Sequence, residues 1–376
     1  MSAARRGSRR RVTAAVVRGA AGDPAGLALA RLLDDLVAGG DVVAVAGVVA
    51  TPDRVLWSGA AGWERRRPLR PLRPAPPARV GTRFDLASLT KPVMATLALA
   101  LDRPRAPGTP ALPLGLEVGE IWPRAARTLA RRTLEDLLRH RAGFLPWTPL
   151  YARCRDRRAA RALLLGGDLL GARPRTYSDL GYALWGMCAE RALGLRLRTL
   201  VRRHLARPLG LGGLAAPGRR VAVAACPLDN AREVELAAAQ GIAVARRSPP
   251  PPGVVQDGNA RFLGGLAGHA GLFAAAGDLV RLGGEWLRPR RLLRPAAVAA
   301  ALAGDDPLLG WRARRTRNSA GRALSPGAFG HVGFTGGSLW IDPAARRIFV
   351  MLAHRTSPHA ELAAARRRFH ALAQRL

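Results

Sequence analysis

The chain has 376 residues, 48% of them hydrophobic, enough to bury the core of one large domain or two closely packed lobes. Its formal net charge is +34, yet the basic residues are spread along the whole chain and aromatic residues reach only 5%, with no nucleic-acid motif between them. That pattern excludes specific nucleic-acid recognition as an expectation and leaves nonspecific adhesion to anionic surfaces, which needs only the field.

Residues 1–23 form a basic arm whose composition predicts disorder. Its one apolar stretch, Val12-Thr-Ala-Ala-Val-Val, ends at Arg18 and is too short for a secretory signal, so the cytoplasm is the expected compartment, with the periplasm the alternative if the start codon is misassigned. No run reaches the roughly eighteen apolar residues of a membrane span. Three cysteines, Cys154, Cys188 and Cys226, fit neither a disulfide framework nor a metal knuckle, and neither metal nor organic cofactor is expected.

Leu27, Leu29, Leu32, Leu33 and Leu36 lie at helical spacing within residues 24–39, predicting a helix with those five side chains turned inward. Residues 41–50 and 54–63 read as a hairpin closed at Thr51-Pro-Asp. The proline and arginine tract at 65–79 and the stretch Arg247-Ser-Pro-Pro-Pro-Pro-Gly cannot pack a core and predict exposed loops. From 88 to 101 the pattern is helical, with Pro92 tolerated in the first turn, and helical segments continue to about residue 236. Residues 331–335, 338–342 and 346–353 read as short strands before an arginine-rich amphipathic helix from 361. Strands at both ends with helices between predict one α/β domain over 24–376. Its antiparallel sheet is flanked by helices and carries an inserted helical lobe. The sheet lobe would take about 24–80 and 265–376, and the helical lobe about 84–264.

Every basic position but one is arginine; the exception is Lys91, three residues after Ser88 in Phe84-Asp-Leu-Ala-Ser-Leu-Thr-Lys-Pro. An ammonium with a tunable pKa can do what a guanidinium cannot, and Ser-x-x-Lys is the pattern of a serine acyl-transfer enzyme. With ten serines in the chain, such a spacing arises by chance in about one sequence of forty, so other segments must support it. One helical turn would place Ser88 and Lys91 on the same face. Tyr177, in Arg175-Thr-Tyr-Ser-Asp-Leu-Gly-Tyr, precedes an apolar helical stretch and could take the serine proton as phenolate. A third segment, Phe329-Gly-His-Val-Gly-Phe-Thr-Gly-Gly-Ser-Leu-Trp, is a glycine-rich strand that lets substrate approach the backbone, with His331 placed to bind substrate or steady the tyrosine.

In this order the three segments resemble the serine β-lactamase and penicillin-binding-protein superfamily, in its class C-like branch with esterases and D-stereospecific peptidases. Leu137-Leu-Arg-His-Arg-Ala-Gly-Phe and Leu263-Gly-Gly-Leu-Ala-Gly-His-Ala-Gly-Leu-Phe resemble two further segments of that family. The resemblance runs from about Val42 to the C-terminus. It implies a β-lactamase/transpeptidase-like fold, Ser88 as the acylated nucleophile, Lys91 as its activator and Tyr177 as general base. It also implies His331-Val-Gly in place of Lys-Thr-Gly, with Gly333 in that strand motif and the amides of Ser88 and Phe334 forming an oxyanion hole.

Two departures bear on substrate. Tyr-x-Asn appears as Tyr177-Ser-Asp, so Asp179 either contacts substrate as an acceptor only or pairs with Lys91, and a Ser178-Asp179 register is the alternative reading. His331 and Val332 replace a lysine and a hydroxyl that would grip a carboxylate, which favours a small ester, amide or peptide substrate over penicillins. The expected function is a serine hydrolase of esterase or D-peptidase type; the alternatives are a true β-lactamase and a catalytically silent binding protein on the same scaffold.

Overall fold

The computed structural model describes residues 23–64, 76–104, 111–173, 175–218, 223–315 and 318–376. The basic arm and most of the proline and arginine tract lie outside the described residues. The sheet joins strands from both ends of the chain, as expected: β1 (Val42–Ala50), β2 (Val55–Gly62), β5 (Arg312–Ala313), β6 (Phe329–Val332), β7 (Ser338–Asp342) and β8 (Arg347–Arg355). All its pairings are antiparallel, in the order β2-β1-β8-β7-β6-β5. β1 is a nearly unbroken run of Val, Ala and Gly, the signature of a strand covered on both faces, and almost all of it is buried.

Helices Pro24–Ala38 and Ala363–Ala373 cover one face, packing Leu29, Leu33 and Phe369 against Trp57, Phe349 and Met351. Trp57 Nε1 donates to Gly26 O at 3.1 Å and ties the first helix to β2. Leu27 departs from its expected place: it is 48% exposed. Two residues before Leu29 is about 200° of helical rotation, so both cannot face the sheet.

On the other face lie helix Ala276–Leu287 and the helix Thr90–Leu101, whose twelve residues are all buried, so it is enclosed on every side rather than amphipathic. A two-stranded ribbon, β3 (Phe84–Asp85) with β4 (Phe273–Ala274), delivers the chain into that central helix. Two details differ from expectation. The strand expected at 331–335 runs Phe329–Val332 instead, because Gly333 N bonds to Gly337 O at 2.8 Å and Thr335 Oγ1 leaves the sheet to bond Asp85 O at 2.7 Å. β5 gave no signal, being two residues long. Among the described residues no helix is long and apolar enough to cross a membrane.

Candidate active site

Ser88 sits in a short 3₁₀ turn, Ala87–Leu89, at the entrance to the buried helix. The turn is fixed from behind by Asp85, whose two carboxylate oxygens accept from Ala87 N at 2.9 Å and Gln256 N at 2.7 Å. Asp85 N in turn donates to His354 Nε2 of β8 at 3.1 Å. Ala87 is held at φ 45°, a strained value for a residue with a Cβ, so the backbone beside Ser88 is dictated by its surroundings. The approach of β6 is just as constrained. A Cβ on Gly333 would lie 2.5 Å from Leu86 O, so only glycine lets the end of that strand rest on the Ser88 turn.

One helical turn on, Lys91 is fully buried, and its Nζ donates to Ser88 Oγ at 2.8 Å, to Asp179 Oδ1 at 2.6 Å and to His269 O at 3.4 Å. Burial, the largest influence, pushes its pKa down, but the charges of Asp179 and Tyr177 outweigh it and hold the ammonium above the usual lysine value. Because Lys91 donates to Oγ, the hydroxyl proton of Ser88 points elsewhere. Tyr177 is the neighbour: its ring centroid is 4.7 Å from Lys91 Nζ, and its phenol interacts with both Ser88 and Lys91. Burial raises the Tyr177 pKa above the usual phenol value, and Lys91 offsets only part of that rise.

Tyr177 and Asp179 flank Ser178, which caps helix Asp179–Leu193 through its hydroxyl and donates to Leu145 O at 2.6 Å. Ser178 is thus spent on structure, as the tyrosine register requires. Asp179 takes the alternative foreseen for it and pairs with Lys91 while still lining the cleft. His140, at φ 56°, accepts from Ser178 N at 2.9 Å through Nδ1 and lays its ring 4.6 Å from that of Tyr177. Burial, with Lys91 nearby, keeps the His140 pKa well below its usual value, so it remains neutral.

Ser88, Tyr177, Asp179, His331 and Phe334 border one cleft of about 390 Å³, with Lys91 beneath its floor. Ser88 and Phe334 face each other across the lining of this cleft, from the 3₁₀ turn and from the segment after β6. His331 Nδ1 pairs with Val332 O at 2.9 Å, and burial, aided by Lys91, drops its pKa to about 3. It therefore offers a neutral ring, 5.8 Å from that of Tyr177, rather than a cation.

Several residues at the site carried no assigned role in the sequence. Arg312 of β5 lines the cleft; its Nε and Nη2 bind Asp306, and its Cζ lies 5.9 Å from the Tyr177 ring. One arginine among so many gives no signal of its own. Asp257, also lining the cleft, accepts from His269 at 3.0 Å. Burial opposes both charges, but each partner stabilises the other, holding Asp257 down at about 2 and His269 above its usual value. His140 and His269 both lay in glycine-flanked segments noted in the sequence.

A family model described as Beta-lactamase matches residues 29–374. An Escherichia coli K12 protein named as a D-alanyl-D-alanine carboxypeptidase is 29% identical over 324 residues, 76% of this chain and 71% of that one. An N-acetylmuramyl-L-alanine amidase of Bacillus subtilis is 27% identical over 342 residues, 79% of this chain and 74% of its own length. Among solved structures, a penicillin-binding protein homologue from Caulobacter crescentus superposes with a TM-score of 0.67 at 22% identity, covering 96% of this chain and 100% of that one.

Proposed function

Because the chain belongs to the Beta-lactamase family of serine hydrolases, we propose that it cleaves a small amide or ester through an acyl-enzyme on Ser88, with D-amino-acid peptides the favoured substrate class. The observation that carries this reading is the buried Lys91 ammonium held between Ser88 Oγ and Asp179. Ser88 Oγ attacks the carbonyl carbon while its proton passes to the Tyr177 phenolate, the minor form that Lys91 stabilises. Negative charge on the former carbonyl oxygen is received by the Ser88 and Phe334 amides. The bond to the leaving nitrogen or oxygen breaks, and Tyr177 returns the proton to that atom. Water then attacks the ester, again giving its proton to Tyr177; the acyl–Oγ bond breaks, Tyr177 returns that proton to Ser88 Oγ, and the acid is released. No metal or organic cofactor enters these steps.

The substrate class rests on the cleft's charges and on the relatives' names. With His331 neutral, Arg312 and Arg232 are the arginines lining the cleft and placed to meet a substrate carboxylate, the group at the end of a peptide. Turnover of p-nitrophenyl acetate and of an acyl-D-alanyl-D-alanine peptide is expected, with both lost in Ser88→Ala. Full activity in that variant would overturn the assignment, and nitrocefin cleavage faster than either would move the substrate class to β-lactams.

A further inference from the structure

A second concavity, of about 980 Å³, opens at the β2 edge of the sheet and shares no lining residue with the catalytic cleft. Helix Ala276–Leu287, which packs across β8, β1 and β7, borders it on one side. Its size is at the upper end of the ~300–1,000 Å³ found for small-molecule sites. Val48 of β1 and Ser58 of β2, direct partners across the strands, form its floor. Val55, Val80 and Val280 add apolar walls, and Val55 is 51% exposed, a large apolar side chain open to water.

The charged side chains lining this groove are mostly cationic. Arg79, Arg83 and Arg281 line it, and two of them are fixed in place: Arg83 Nε donates to Gly213 O at 2.8 Å and Arg281 to Gly210 O. Gly277 belongs to the first turn of helix Ala276–Leu287, whose leading amides have no acceptor within the helix and carry its positive end. The one acid in the lining, Asp278, is already spent, accepting from Gly213 N at 2.9 Å and Ala275 N at 3.0 Å. Ser58, 8% exposed, also lines the groove.

We propose that this groove binds the carboxylate of a free medium- or long-chain fatty acid. The alkyl chain lies over Val48, Val55 and Val280, and the head is held by the guanidinium groups, the helix terminus and the Ser58 hydroxyl. An apolar trough answers the chain, whose affinity grows with each methylene buried. Three arginines in the lining answer the anion.

Isothermal titration with dodecanoate below its micelle concentration tests this. One saturable site per chain is expected, with dodecanol and octanoate each at least tenfold weaker. Val280→Trp, which fills the groove, should weaken dodecanoate at least tenfold with p-nitrophenyl acetate turnover unchanged. Arg79→Glu, at the exposed rim, should weaken it several-fold and keeps the test alive should the tryptophan variant fail to fold. Binding should survive when Ser88 has first been blocked by a phosphonate. No saturable site, equal affinity for dodecanol and dodecanoate, loss of binding after the phosphonate block, or binding to anionic vesicles alone would each overturn the proposal.

Discussion

Lys91 and Arg366 are both buried cations, and they are served in opposite ways. Lys91 meets a carboxylate at 2.6 Å and is held above its usual pKa. Among the described residues Arg366 meets the carbonyls of Gly336, at 2.6 Å, and Gly337 but no acid, its Nε is buried without a partner, and burial lowers its pKa to about 10. A counter-charge keeps the first charged where a hydroxyl must lose its proton. The second spends its donors on the turn that follows Phe334 and acts on the cleft only through position. One region needs an ammonium and the other needs a shape.

Changes at four positions would break or sharpen that contrast. The largest effect is expected at Lys91: Lys91→Ala should lower kcat for ester hydrolysis on the order of 10³-fold, the middle of the range for a proton-transfer group, and Lys91→Arg should not restore it. Next comes Tyr177→Phe, which should cost roughly 10²-fold or more in kcat and abolish the alkaline rise of the pH–rate profile. In the wild type that rise should continue toward and beyond the usual phenol pKa, because the phenolate is the active form and burial raises the value.

Asp179→Asn should move the same limb to lower pH, measured as kcat/KM against pH. Asp179 raises both the Tyr177 and the Lys91 pKa, so removing its charge favours phenolate at lower pH. An unmoved limb would break the link between the acid and the phenol. The smallest catalytic effect belongs to Arg366→Met, which should leave kcat within about threefold yet destabilise the fold by about 1–3 kcal/mol, the cost of stranding buried carbonyls, read as a fall in Tm.

The sequence made most of the cleft legible because its chemistry sits in short, ordered segments whose residue types are rare in this chain. A single lysine and three tyrosines stand out against sixty basic residues and an alanine-rich background. The sheet was legible for a related reason: β1, β7 and β8 are apolar runs that a sheet covered on both faces requires. What escaped was whatever depends on contacts between distant stretches. β5 is too short for any period, so Arg312 could not be told from its many counterparts. The Asp257–His269 pair needs a helix cap and a glycine loop to converge, and the exit of the chain from β6 at Gly333 is set by Leu86, far away in sequence. Leu27 shows the limit of reading a leucine stripe without following its angle.

Mass mapping of the protein after brief exposure to a p-nitrophenyl ester, quenched in acid, tests the central chemical step most directly. A single acyl group on the peptide containing Ser88 is expected, absent in Ser88→Ala and strongly reduced in Lys91→Ala. Acylation at another residue, or equal labelling of Ser88 with and without Lys91, would contradict a nucleophile activated by that buried ammonium.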